Sequence, residues 1–218
     1  MLSRKYYLLL IPGFLVLFTG LGSCKKKDLT YSFKGTVIES ASGAGLSDVS
    51  VKLYQVLFDQ SSANSNFQLA GEVSTDGSGN YEIVIDRQKA LQFKVAFRKN
   101  GFFTEEVVIS SSDVSTEEAK EVNQYMDAES WIVFDIYNAS PDISDQLTLV
   151  KYNFREGCLG CTTNDYAYFY GPVDTTITIH TTAGIYTRFT YKDEVSSLIT
   201  EDSVLTVPFD TVFYSINY

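Results

Sequence analysis

From about residue 31 onward the chain alternates apolar and polar positions in short runs. Val49, Val51 and Leu53 fall on one side of such a run, with Ser50, Lys52 and Tyr54 on the other. Tyr81, Ile83 and Ile85 repeat the pattern, as do Phe93, Val95 and Phe97 against Lys94 and Arg98. A period of two predicts strands with one buried face. Turn-forming stretches separate the runs: SGAG at 42–45, DGSGN at 76–80 and KNG at 99–101. A second series opens at Trp131, where Ile132, Phe134 and Ile136 alternate with Val133, Asp135 and Tyr137. QLTLVKYNF, DYAYFY, TTITIH, IYTRFTY, SVLTV and TVFYSINY follow it. Short strands with frequent turns predict an all-β chain of two consecutive β-sandwich domains, over residues 31–127 and 131–218. Between them, STEEAKEVNQYMDAES has two readings. Ser115 and Glu118 have the spacing of a helix capping box. Val122, Gln124 and Met126 instead alternate as a strand, and a strand over Glu118–Met126 closing the first sandwich is expected, with 127–130 as the boundary.

The first thirty residues follow neither pattern. Arg4 and Lys5 precede a nearly unbroken apolar run from Tyr6 to Phe18, interrupted by Pro12-Gly13. A membrane span needs about 20 apolar residues. This run is shorter and suits the apolar region of a signal peptide, about 7–15 residues long. Leu21-Gly22-Ser23-Cys24 resembles the lipobox of bacterial lipoproteins. That resemblance implies transfer of diacylglycerol to the Cys24 thiol, cleavage before it and acylation of the new amine with a fatty acid such as palmitate. Residues 1–23 would then be a lipoprotein signal peptide and 24–30 a lipidated tether. A single acyl chain holds a protein only marginally to a bilayer, whereas two or more hold it firmly. Lys25, Lys26 and Lys27 would lie beside the headgroups, each contributing about 1 kcal/mol at an anionic leaflet. The expected localisation is the cell envelope, at the outer membrane of a Gram-negative bacterium.

Cleavage there would leave 15 basic residues, Arg4 and Lys5 departing with the leader, against all 27 acidic ones, a net charge of −12. Nucleic-acid recognition rests on basic patches, so this balance argues against it. Fifteen tyrosines and fifteen phenylalanines, with recurrent threonine and valine, agree with the β assignment. No phosphate-binding loop, dinucleotide fingerprint, HExxH or GxSxG motif occurs, and no cofactor is expected.

FKGTVIESASGAGLSDVSVKLY, GEVSTDGSGNYEIVI and LQFKVAFRKNGF together resemble the carboxypeptidase regulatory-like domain, a transthyretin-like (prealbumin-like) β-sandwich. Gly35, Val37, Gly45-Leu46, Asp48 to Val51, Thr75-Asp76, Gly79-Asn80-Tyr81 and Gly101-Phe102 carry the likeness. It implies a structural or interaction module with no catalytic residues. The second half is loosely similar to the β-sandwich that follows such a domain in Gram-negative lipoproteins, through Trp131 to Asn138 and the closing FDTVFYSINY.

Several constellations carry candidate chemistry. Cys158 and Cys161 in GCLGC form an even pair in an exported chain and are expected as a disulfide; redox cycling or metal binding is the alternative. Asp76, Ser78, Asn80 and Glu82 alternate oxygen ligands as a calcium loop would, although a capped tight turn explains the same residues. His180, the only histidine, is expected as a solvated residue on the polar face of its strand beside Thr178. DTT, DSV and DTV at 174, 202 and 210 have the form of an O-glycosylation sequence of some envelope proteins, or of ordinary strand starts. Tyr166, Tyr168 and Tyr170 share one face of a strand, leaving Ala167 and Phe169 to fill the core. They are the candidate binding face. Two roles follow: a non-enzymatic envelope lipoprotein that meets a protein partner, or a glycan-binding accessory lipoprotein whose exposed rings stack on sugars. An enzyme, such as a metal-dependent hydrolase, has the least support.

Overall fold

The computed structural model describes residues 29–58, 66–152, 155 and 166–218. Cys24, Cys158 and Cys161, and with them the lipobox and the expected disulfide, lie outside the described residues. Among the described residues, fifteen strands follow one another: β1 (Thr30–Glu39), β2 (Ser50–Leu57), β3 (Gln68–Ser74), β4 (Asn80–Asp86), β5 (Ala90–Arg98), β6 (Glu105–Ser110), β7 (Lys120–Glu121), β8 (Gln124–Met126), β9 (Glu129–Tyr137), β10 (Gln146–Lys151), β11 (Tyr166–Tyr170), β12 (Asp174–Thr182), β13 (Tyr186–Asp193), β14 (Ile199–Leu205) and β15 (Thr211–Asn217). The described helix is one 3₁₀ turn at Ser111–Asp113. The chain is all-β.

Two sheets enclose the first core: β4-β1-β7, with β8 also on β1, and β3-β2-β5-β6. Alternation decides what each strand buries. Tyr81, Ile83 and Ile85 of β4 point inward, while Glu82 and Val84 point out. Val51 and Leu53 of β2 meet Phe93, Val95 and Phe97 of β5. Each large apolar side chain so buried contributes about 1.5–3 kcal/mol. Tyr31 and Phe33 pack on Phe93 at ring-centroid distances of 5.4 and 5.1 Å.

The stretch from 118 to 126 is extended rather than helical, and it is broken in two. β7 and β8 both run parallel to β1, pairing Phe33 with Lys120 and Val37 with Gln124. At the break, Val122 turns into the core and its carbonyl accepts a hydrogen bond from the Tyr81 hydroxyl at 2.7 Å. Asn123 Oδ1 accepts from the Thr36 amide at 2.8 Å, replacing the missing ladder bond. This crossing requires glycine at 35, because a Cβ there would stand 2.1 Å from the Val122 carbonyl oxygen.

The second core lies between β12-β9-β15 and β11-β10-β13-β14. Ile132, Phe134 and Ile136 of β9 meet Leu147, Leu149, Ile179, Phe189 and Ile216. Phe134, Phe189 and Tyr214 form an edge-to-face trio with centroids 4.7–5.9 Å apart. β15 joins β9 in parallel register, Thr211 opposite Trp131 and Asn217 opposite Tyr137.

Backbone hydrogen bonds from both halves hold the stretch that connects them. The Phe103 amide donates to the Asp127 carbonyl and the Glu129 amide to that of Gly101, from the first sandwich. The Ala183 amide donates to the Ala128 carbonyl and the Phe209 amide to that of Glu129, from the second. Gly101, at φ +78°, also makes room for the Phe209 ring: a Cβ would meet it at 2.7 Å.

Candidate functional site

The outer face of the sheet β11-β10-β13-β14 carries the candidate tyrosines. Their strand lies at the edge of that sheet, so its outward residues have cross-strand neighbours on one side only. Ala167 and Phe169 pack against the second core, which turns Tyr166, Tyr168 and Tyr170 outward. All three are more than half exposed. The Tyr166 and Tyr168 rings are parallel within 6°, with centroids 6.3 Å apart.

Strand register extends this row across the sheet. Tyr168 stands opposite Thr148, which stands opposite Lys192, and Lys192 opposite Ile199. Tyr166 leads in the same way through Val150 and Thr190 to Glu201. The next rung holds Tyr152, whose amide donates to the Arg188 carbonyl, with Arg188 opposite Ser203. Tyr186 faces Leu205 beyond it. Tyr152 and Tyr186 are also more than half exposed, so five tyrosines share one described sheet face. Beside Tyr152 opens a groove of about 280 Å³ bounded by Tyr152, Arg188, Thr190, Glu201, Asp202 and Ser203. The Thr190 hydroxyl donates to the Tyr152 phenol oxygen at 2.8 Å and fixes that ring at the groove wall. Lys192 forms an ion pair with Glu194, and the Thr148 hydroxyl donates to the same carboxylate at 2.9 Å. The bond from Lys192, with help from Thr148, holds Glu194 below the usual carboxylate range. Sequence alternation found the β11 tyrosines; the groove was not legible, because it draws on β13, β14 and the residue after β10.

The structure bears out the capped-turn reading of Asp76 and changes that of His180. Asp76 forms the turn before β4. Its Oδ1 accepts from the backbone amides of Ser78 at 2.9 Å and Asn80 at 2.8 Å. These bonds, the one from Asn80 first, lower its pKa. Gly79 takes φ +83° within the turn. His180 is not solvated as expected. Its ring lies between Trp131, parallel within 4° at 5.2 Å, and Phe103 of the first sandwich at 5.0 Å. The Glu129 carboxylate is 3.9 Å from its Nε2. Alternation along β12 correctly sets His180 on the outer face, but another part of the chain covers that end of the sheet. Arg155 extends the stack, its guanidinium 4.5 Å above the Phe103 ring, and pairs with both Glu105 and Asp127. Burial pushes the Glu105 carboxyl up against the pull of Arg155. An open cleft of about 800 Å³ at this junction is lined by Asp48, Lys52, Arg98, Lys99 and Glu129 among others. Among the described residues, no group of three or more histidine, cysteine or acidic side chains is placed to hold a metal ion.

No protein family matches the sequence, and no curated protein matches it. Among solved structures, the chain is similar to the Bacillus anthracis TIE protein (10% identity, TM-score 0.34), over 87% of this chain and 34% of that one. It is also similar to the shaft pilin SpaA from Lactobacillus rhamnosus GG (10% identity, TM-score 0.33), over 86% and 97%. The 3-chlorocatechol 1,2-dioxygenase from Rhodococcus opacus 1CP matches over 47% of this chain and 60% of that one (12% identity, TM-score 0.31). The chain thus spans about a third of the length of the TIE protein chain. Likenesses at this level assign neither a family nor an activity.

Proposed function

We propose that this chain is a non-enzymatic cell-envelope lipoprotein. Lipidated Cys24 tethers a body whose first sandwich is a carboxypeptidase regulatory-like domain, and whose second sandwich meets a partner through its outer tyrosine face. The observation that carries this reading is the exposure of five tyrosines on one sheet face, beside a core that other residues of the same strands already fill. Single scattered apolar side chains on a surface need no explanation, whereas five large rings gathered on one sheet face support an interaction site. The lipobox sequence supports the tether, and the motifs from Gly35 to Phe102 support the domain type. Within this reading Cys158 and Cys161 form a disulfide closing a very short loop, which adds about 2 kcal/mol at most.

Cell fractionation and mass spectrometry of the mature N-terminus test the tether. Wild-type protein should sit in the membrane fraction with an acylated Cys24 as its first residue. Cys24→Ala should leave an unprocessed precursor or a released body. A mature N-terminus at any other residue removes the lipoprotein reading.

A further inference from the structure

The ligand of the tyrosine face follows from what lies between the rings. We propose that this face binds a neutral polysaccharide chain, laid across β11, β10, β13 and β14, with its sugar hydroxyls read in the groove formed by Tyr152, Arg188, Thr190, Glu201 and Ser203. The proposal rests on the reading of this face as the binding surface and names the ligand class.

Three observations select that class. First, the rings recur at every second residue of β11, about 7 Å apart, and Tyr166 and Tyr168 are parallel. A row of exposed aromatic rings at a repeat on the scale of a sugar unit offers apolar area to successive pyranose rings, with a polar phenol tip on each. Second, the aromatic area is not continuous. Thr148, Thr190, Lys192 and Arg188 separate the β11 tyrosines from Ile199 and Leu205 on β14. A protein partner held by hydrophobic contact would meet a contiguous apolar centre; this face instead interleaves rings with hydroxyls and charged tips. Third, the charges cancel. Among the described residues the outward positions present Arg188 and Lys192 against Glu194 and Glu201; Asp202, which also borders the groove, lies opposite the core residue Phe189 and accepts from the Tyr214 hydroxyl. A nucleic acid or an anionic bilayer requires a basic surface, and a cationic partner an acidic one. A neutral polymer dense in hydroxyls, each both donor and acceptor, meets Arg188 as donor, Glu201 as acceptor and Ser203 as either. At about 280 Å³ the groove lies near the lower limit of ligand pockets, roughly 300–1,000 Å³, the scale of one or two sugar rings along a chain that otherwise rests on the surface.

The test is titration of the full chain in detergent micelles with cellohexaose, xylohexaose, mannohexaose and chitohexaose, with polygalacturonate as the acidic comparison. Saturable binding to at least one neutral hexaose is expected. It should weaken tenfold or more in Tyr166→Ala/Tyr168→Ala and in Glu201→Gln, and stay unchanged in Val84→Ser on the first sandwich. Binding to none of the neutral oligosaccharides, binding to polygalacturonate alone, or wild-type affinity in the variants overturns the proposal. Unchanged circular dichroism and melting temperature in each variant show that a loss is not unfolding. A parallel retention assay on immobilised envelope proteins separates the two levels. Retention that depends on the tyrosines without sugar binding removes the polysaccharide and keeps the binding face; no dependence in either assay removes both.

Discussion

The two halves of the molecule divide their apolar residues differently. Among the described residues, 19 buried hydrophobic side chains cluster around the first core and eight around the second. Exposed large hydrophobics run the other way: seven precede residue 131 and fifteen follow it. Both halves use the same period-two strands, so the difference lies in what is placed on the outward positions. On the first sandwich, the outer face of β2, β3, β5 and β6 carries paired charges, with Lys52 on Glu72 and Lys94 on Glu106. On the second, outward positions of β11 and β13, and Tyr152 just after β10, carry tyrosines. A sheet face furnished with ion pairs resists association, whereas one furnished with rings invites it. On the proposed reading the first half is the scaffold and the second the displayed surface.

The largest effects are expected inside the two cores. Phe97→Ala in the first and Phe134→Ala in the second each remove a fully buried ring, at a cost of about 3–5 kcal/mol. The smaller core of the second sandwich should make Phe134→Ala the more damaging of the two, read as loss of its folded signal in a urea titration. Equal midpoints would show that the described clusters do not set the stability of each half.

The junction should come next. Gly101→Ala forces a Cβ onto the Phe209 ring from a backbone at φ +78°, and overpacking of this kind costs about 1–3 kcal/mol. Trp131, the only tryptophan, stacks on His180 at this place, so its fluorescence reports on the contact. Phe103→Ala should shift that emission to longer wavelength and separate one unfolding transition into two. A single unchanged transition would mean that the sandwiches are not coupled through the stack.

Acid should act on the turns before it acts on the cores. Asp76 is depressed by the Asn80 and Ser78 amides, and Asp202 by the Tyr214 hydroxyl and the Ser203 amide. A carboxyl whose folded pKa lies below its unfolded value contributes stability that is complete above the unfolded pKa and is lost as pH falls through the folded one. The melting temperature should therefore hold from neutral pH to the ordinary aspartate range and decline below it. Asp76→Asn should flatten that decline, and a decline starting near pH 6 would point to other groups.

The smallest effect is expected where the account places function. Tyr166→Ala and Tyr170→Ala remove exposed rings, and surface changes of this kind usually lie within about 0.5 kcal/mol. A large loss of stability from either would mean that the rings serve packing rather than display.

Much of this fold was legible in the sequence, and the failures have physical causes. Each of the seven runs read after residue 130 is a strand, because one buried face imposes a period of two on every one of them. The same reasoning set Tyr166, Tyr168 and Tyr170 on one face and Ala167 and Phe169 on the other. Partners were not legible. β7, β8 and β15 lie parallel to their neighbours, a property of chain path that alternation does not encode. His180 was misread for a related reason: its period along β12 is that of an outward residue, but Phe103, 77 positions earlier, covers it. The signals that were available were the lone Trp131 at the boundary and the Phe102-Phe103 pair after the KNG turn.

The central claim is that binding belongs to the second sandwich and scaffolding to the first. The most direct test compares two surface variants of the full chain for retention on isolated cell-envelope material: Tyr166→Ala/Tyr168→Ala/Tyr170→Ala on the second sandwich and Val84→Ser/Val108→Ser on the first. Both remove exposed apolar side chains and leave the cores intact. Loss of retention, beyond that due to the lipid tether, in the tyrosine variant alone is the predicted result. Equal loss in both variants, or loss only in the valine variant, would contradict the division between scaffold and display.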